Sequence, residues 1–317
     1  MTFELTPVQR RTFDLLSRNG EPVVFDPDVV AELRADLHRG LGELASRLPE
    51  SSAVGADPAV VVTKHDLGEV FTCEEKWAAP DDFSWSAAKA KGQVAHKAIQ
   101  LSIHWQGEVV PLRVVDEALA RLADDENGLA SWLATLPAGD VADLRGRAVE
   151  HVTKFIECFP PLDPRWRPVT EGTAHYPLTG PIVLRARIDL TLGVPRQSES
   201  RKVIIDLKTG RLLHRHREDL RFYALVETLV RDVPPRLLAS YSLDSAAAET
   251  EDVTADLLRS TLRRTLDGLE RMIEIRFEGR SPTRSPGPAC RWCSIRSECR
   301  DGRDWLAADR SGRDRRP

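Results

Sequence analysis

The sequence predicts an α/β protein in which a central mixed sheet is flanked by helices, with further helical regions at the N-terminus and inserted ahead of the sheet. Three observations carry this. Apolar residues recur at helical spacing through most of residues 6–157, the pattern of helices that bury one face. From residue 168 the pattern turns into β-branched runs separated by Gly/Pro turns, which reads as strands. A helix, one more strand and a long helix close the series, the order of an α/β core with helical additions.

Each element has a local reason. Residues 6–19 and 27–48 have helical spacing, with Asp26 or Asp28 as N-cap of the second run, and Pro49 to Pro58 reads as a loop. Ala59 to Thr63 is a short β-branched run, and Asp66 can cap a helix carrying Leu67, Val70 and Phe71 towards Cys73. Residues 84–106 and 112–157 read mainly as helix, broken around Gly128 and at Pro137-Ala-Gly139, and Pro160-Pro161 ends the stretch. Strand character follows in Pro168 to Tyr176, Ile182 to Leu192 and Lys202 to Leu207. Glu218 to Val230 is a helix, Leu237 to Leu243 a strand and Thr254 to Phe277 a long helix.

Composition narrows the class. With 317 residues, 41% apolar and 30% charged, the chain can bury an ordinary globular core. It has no apolar run of the roughly eighteen residues that a membrane span requires, so no membrane association is expected. The start has neither a basic n-region nor an apolar h-region, so a cytoplasmic protein is expected. The formal charge of -4 hides an uneven distribution: residues 1–60 hold ten acids against six bases, and 201–236 nine bases against five acids. Residues 280–317 hold ten arginines against five acids. Such late basic surface suits a polyanion, and it equally suits solvated helix faces.

The chemistry concentrates in two neighbouring strands. Ile188-Asp189-Leu190 is followed, after a polar turn, by Val203-Ile-Ile-Asp206-Leu-Lys208. Side chains alternate along a strand, so Asp206 and Lys208 point one way, towards a solvent-accessible site, while Leu207 turns into the core. Two facing carboxylates can hold Mg²⁺ or Mn²⁺, and such an ion polarises a phosphate and lowers the pKa of water. A lysine beside them can place that water or stabilise transition-state charge. Asp-x-Lys by itself also fits a surface ion pair worth about 0–1 kcal/mol.

In context these residues resemble the D…(D/E)xK core of the PD-(D/E)XK nucleases. Gly92-Gln-Val-Ala-His96 resembles the GxxxH motif of the RecB/Cas4/AddB-like branch, and Asp219-Leu-Arg-Phe-Tyr223 its QxxxY helix. The resemblance implies a restriction-endonuclease-like core over residues 62–302; the helical spacing of 1–61 reads as an extension before it, and the arginine-rich 303–317 as a basic, disordered tail. It also implies that His96, Asp189, Asp206 and the backbone carbonyl of Leu207 hold the metal. Catalytic roles would fall to Asp189, Asp206, Lys208, Asp219 and Tyr223. The spacing is compatible, since Gly92 and His96, like Asp219 and Tyr223, are four apart and share a helix face. The chain departs from the pattern at Asp219, where an acid cannot donate the hydrogen bonds of the usual glutamine. Glu171 is read more simply as a solvent-facing strand residue, although some members of the branch use an extra carboxylate.

Cys290, Cys293 and Cys299 are spaced C-x2-C-x5-C, with Cys73 far upstream. In a reducing compartment that spacing reads as metal binding, by zinc or by an iron–sulfur cluster. The resemblance favours a [4Fe–4S] cluster held by these four cysteines, closing a loop of more than 200 residues. Cys158, among apolar neighbours, reads as a buried thiol.

The activity implied is metal-dependent hydrolysis of DNA, single-stranded or with free ends, in DNA repair and recombination or in CRISPR and phage defence. Arg211, Arg215, Arg217 and Arg221 could track the phosphate backbone. The alternatives are a weakly catalytic DNA-binding module, or an adaptor docking onto a helicase or integrase. The chain has no P-loop of its own.

Overall fold

The computed structural model describes residues 4–17, 21–49, 58–80, 83–124 and 128–313. Helix α1 (Pro7–Leu16) starts in a reciprocal capping box between Thr6 and Gln9. Strand β1 (Val23–Val24) precedes α2 (Pro27–Ala45), where Asp26 accepts the Asp28 N–H at 2.9 Å as expected of a cap. After β2 (Val60–Val62), helix α3 (Lys64–Thr72) begins at Thr63. Asp66 is the third helical residue and reaches back to the Thr63 N–H at 3.0 Å. Thr63 is therefore the cap, and Asp66 its partner in the box. Cys73 ends α3, and the short α4 (Glu74–Ala78) follows at once.

The inserted helices are α5 (Ala87–Ile103), α6 (Pro111–Asp124), α7 (Leu129–Ala134) and α8 (Ala138–Cys158). Gly128, at φ 74°, supplies the left-handed turn that starts α7. The strand region comprises β3 (Val169–Tyr176), β4 (Ile182–Leu192), β5 (Glu199–Ser200) and β6 (Val203–Lys208). Helix α9 (Arg215–Arg231), strands β7 (Leu237–Ser242) and β8 (Ala247–Asp252), and helices α10 (Ala255–Arg276) and α11 (Arg300–Arg313) complete the chain.

These elements form two compact units. The first comprises Met1–Val30, Ser84–Ala174 and Arg187–Ala255. Its sheet runs β4-β6-β7-β8, with β6 antiparallel to β4, parallel to β7, and β8 antiparallel to β7. Leu190, Ile205, Leu207, Ala239 and Tyr241 join α5, α6 and α8 side chains such as Val94, Ile99, Val115 and Val152 in one core. Alternation then turns Asp206 and Lys208 to the opposite side of β6. Leu16 of α1 enters the same core.

The second unit comprises Ala31–Phe83, His175–Ala186 and Asp256–Pro317. Here β2 pairs in parallel with the start of β4, Val60 opposite Ile182. Helix α3 packs tightly on α10, because Gly268 has no side chain: a Cβ there would lie 2.6 Å from Leu67 and 3.0 Å from Phe71. Arg264 and Arg271 lie over the Phe71 ring at 3.7 and 4.8 Å, a cation–π arrangement. Leu33 and Leu37 of α2 and Leu269 and Ile273 of α10 are buried.

The expected class holds, since a mixed sheet is flanked by helices. Two expectations about the ends differ from the structure. Residues 1–61 form no unit of their own, α1 belonging to the first unit and most of α2 to the second. Residues 303–313, read from their arginine content as a disordered tail, continue α11, anchored by buried Leu306 and an ion pair of Arg291 with Asp309. Residues 314–317 of that tail, and 50–57 of the expected loop, lie outside the described residues. No helix among the described residues is long and apolar enough to cross a membrane.

Candidate active site

The site is set by where strands β4 and β6 stop pairing. Leu190 opposes Ile205, and the next residue on each strand is an aspartate, Asp189 and Asp206. Asp189 Oδ2 accepts the backbone N–H of Leu207 at 2.8 Å, which fixes the carboxylate from the neighbouring strand. Asp206 is fully buried and pairs with Lys208 Nζ at 2.7 Å, while Lys208 keeps 21% exposure. The common orientation expected of Asp206 and Lys208 is thus observed. The expected accessibility is not: only the lysine reaches solvent, and the aspartate is covered.

Helix α5 brings His96 to this point. A Cβ on Gly92 would lie 3.3 Å from Thr209 Oγ1, so a side chain there would crowd the turn after β6. Lys91 Nζ donates to the Thr209 carbonyl at 3.3 Å and ties the same turn to the helix. One helical turn later, His96 Nδ1 stands 3.6 Å from Asp189 Oδ1. Burial disfavours a charge on the imidazole, but Asp189, Glu171 and Asp206 outweigh it and raise the His96 pKa above its ordinary value.

Glu171 of β3 completes the arrangement. Donor atoms of His96, Glu171 and Asp189 all lie within 4.8 Å of one another, a spacing that can hold a metal ion. Glu171 keeps only 15% exposure and pairs with Arg187, so it is a site residue and not the solvent-facing one the sequence suggested. Its backbone is left-handed, with φ 51°. That conformation redirects the side chain, and alternation along β3 could not reveal it.

The remaining expected residues lie on and before α9 and on β6. On α9, Tyr223 is buried and Asp219, one turn earlier, half-buried. Arg211 and Arg215 are exposed and Arg217 partly so. Arg221 pairs with Glu251 of β8 and with Glu218 at 2.7 Å, and Glu251 chiefly, with Glu218 adding and burial opposing, keeps its pKa raised. These pairs tie α9 to β8. Leu207 contributes the N–H already described, with its side chain in the core.

In the second unit Cys73, Cys290, Cys293 and Cys299 line one small cavity. Backbone N–H groups of Gly287 and Gly302 point at Cys290 and Cys299 Sγ, each at 3.4 Å. Burial raises the Cys293 thiol pKa, opposed by the Ile295 backbone N–H and by Lys76, with Cys290 and Cys73 adding to the rise. Beside Cys73, buried Glu74 accepts from Arg280 at 2.8 and 3.0 Å and from the Thr283 N–H at 2.9 Å. The Arg280 guanidinium chiefly, helped by Thr283 and opposed by burial, lowers the Glu74 pKa to about 2. Cys158 is part of the first unit, at the end of α8.

Within β4 and β6, just past their last paired residues, the mixed sheet thus carries Asp189, Asp206 and Lys208 with His96 and Glu171 beside Asp189, an acid-rich set suited to a divalent ion. The sequence profile of the PD-(D/E)XK nuclease superfamily matches residues 70–300. The chain belongs to that superfamily, and its fold is restriction-endonuclease-like. Among solved structures, a Eubacterium rectale protein provisionally described as an exonuclease is similar, with a TM-score of 0.44 and 12% identity over 76% of this chain and 90% of that one. No curated protein sequence matches the chain.

Proposed function

We propose that the chain is a Mg²⁺- or Mn²⁺-dependent deoxyribonuclease of the RecB/Cas4/AddB-like branch, with residues 62–302 as its nuclease domain, acting on single-stranded DNA or DNA ends. The observation that carries this is the approach of His96, Glu171 and Asp189 donors to within 4.8 Å beside the Asp206–Lys208 pair. One imidazole nitrogen among carboxylate oxygens suits a hard divalent ion. His96, Glu171, Asp189 and Asp206 would hold it, with the Leu207 carbonyl as a further ligand. When bound, the ion polarises the phosphate and acidifies water.

The protein's own groups supply the rest. The Leu207 N–H keeps Asp189 aimed. Asp206 anchors Lys208, whose partly exposed ammonium stabilises charge developing on the phosphate. His96 would bind the ion as the neutral imidazole, so its loading would compete with the proton that the neighbouring carboxylates favour. Asp219 and Tyr223 support the site from α9, and Arg211, Arg215 and Arg217 provide cations for the backbone of a DNA strand.

The four cysteines fit a [4Fe–4S] cluster, with zinc the alternative. Four thiols around one cavity, two of them receiving backbone N–H groups, are the donor set and the support that thiolate-ligated clusters use. Bound there, a cluster would join α3 to the segment after α10.

The test is a cleavage assay on end-labelled single- and double-stranded DNA with Mg²⁺, Mn²⁺ or EDTA. Metal-dependent cutting of single strands or ends that is lost in Lys208→Met is the expected result. DNA binding without cutting under any metal would overturn the enzyme reading and favour the adaptor of a helicase or integrase.

A further inference from the structure

Arg187 stands two residues before Asp189 on β4, so the two side chains share a face of the strand. It is 64% exposed, and its Nε lies 2.5 Å from Glu171 Oε2. Glu171 is held in a left-handed conformation, φ 51°, that a non-glycine residue adopts only against steric resistance. The strain turns its carboxylate to a place where it meets both Arg187 and the donors of His96 and Asp189. One carboxylate thus serves an arginine and, with His96 and Asp189, a set of donors that could hold a metal ion.

We propose that Arg187 is a phosphate-binding residue of the nuclease site, and that Glu171 holds it only until a divalent ion takes the Glu171 carboxylate. This rests on the deoxyribonuclease reading above. A doubly charged ion among three donors attracts Glu171 more strongly than a solvated guanidinium does. The exchange would free a planar fork of donors matched to a phosphate, at the rim of the site. DNA affinity and metal loading would then be coupled through one ion pair. An ordinary surface ion pair predicts no such coupling.

The experiment measures binding of a short fluorescent single-stranded oligonucleotide to the full chain by anisotropy, in EDTA and in Ca²⁺, with the oligonucleotide checked for integrity on a gel. In Ca²⁺, Arg187→Ala should weaken binding about tenfold and lower the slope of log affinity against log salt by about one. In EDTA the same variant should change affinity less than about twofold, because Arg187 is already occupied. Glu171→Gln should tighten binding in EDTA, and Arg187→Ala in that background should abolish the gain. Arg187→Lys should retain the charge and recover only part of the Ca²⁺-dependent affinity. Calorimetric Mn²⁺ affinity should fall in Glu171→Gln and hold or rise in Arg187→Ala. An Arg187→Ala effect that is absent, or equal in EDTA and Ca²⁺, overturns the proposal while wild-type cutting in Mn²⁺ leaves the nuclease reading standing. A wild type that neither binds nor cuts DNA overturns both.

Discussion

Leu207 donates its backbone N–H to the carboxylate of Asp189 across the gap where β4 and β6 separate, at 2.8 Å. The bond uses a main-chain group, so no substitution at 207 except proline removes it. It places one acid of the site by the geometry of the strand carrying the other. The two acids consequently move as a unit, and changes at either should be felt by both.

Asp206 shows this most directly. Asp206→Asn keeps the side-chain shape and should cut DNA at least about a hundredfold more slowly, with Mn²⁺ affinity reduced in calorimetry. Asp206→Ala should in addition lower stability by about 1–3 kcal/mol, since it strips a fully buried partner from Lys208. Wild-type cutting by either variant would remove Asp206 from the site.

Gly92 offers a variant in which stability and metal binding separate. Alanine raises helix propensity at an interior position by about 1 kcal/mol, yet its Cβ would press on Thr209 at 3.3 Å. The expected outcome is a melting temperature that holds or rises, with Mn²⁺ affinity reduced several-fold as His96 is pushed away from Asp189. Unchanged Mn²⁺ affinity would show that the turn at Thr209 yields without moving the helix.

The cysteines distinguish cluster from zinc in a single preparation. Anaerobically purified protein should be brown, with about four irons and four sulfides per chain, whereas zinc leaves it colourless. Cys73→Ser should remove iron and lower thermal stability together, because metal binding is coupled to folding. Cys158→Ser should leave the iron content unchanged. Stoichiometric zinc without iron would refute the cluster and leave the nuclease site untouched.

Glu74 predicts an acid sensitivity. Its folded pKa, about 2, lies below the ordinary 4.5, so the ionised form stabilises the fold above pH 4.5 and that contribution disappears as pH falls towards 2. Glu74→Gln should lose about 1–2 kcal/mol at neutral pH and show a smaller drop in melting temperature between pH 5 and 3 than the wild type. Equal drops would assign the acid sensitivity to other groups.

Much of this arrangement could be read from local rules. The period of two along β6 fixes that Asp206 and Lys208 share a face, and the four-residue spacing of Gly92 and His96 fixes that both look from α5 towards one point. Rules of that kind need no tertiary context. Glu171 was illegible for the opposite reason: its direction depends on a positive φ, which neighbouring residue types do not announce. Burial of Asp206 likewise depends on what covers the strand end. Strand β8, Ala247-Ala-Glu-Thr-Glu-Asp252, has little intrinsic β preference and exists because the β7 ladder pairs with it. In α11 the arginines disguise a helix whose apolar contribution is little more than Trp305 and Leu306.

The packing of α3 on α10, with Leu67 and Phe71 pressed against Gly268, bears on how the protein is made. About two hundred residues separate the two helices in translation order. While the ribosome is still adding the sheet strands, α3 has already emerged with its apolar face uncovered, and it stays so until α10 is synthesised. The second unit therefore cannot mature during most of elongation, and a nascent chain stalled before residue 256 would expose that face to chaperones and proteases.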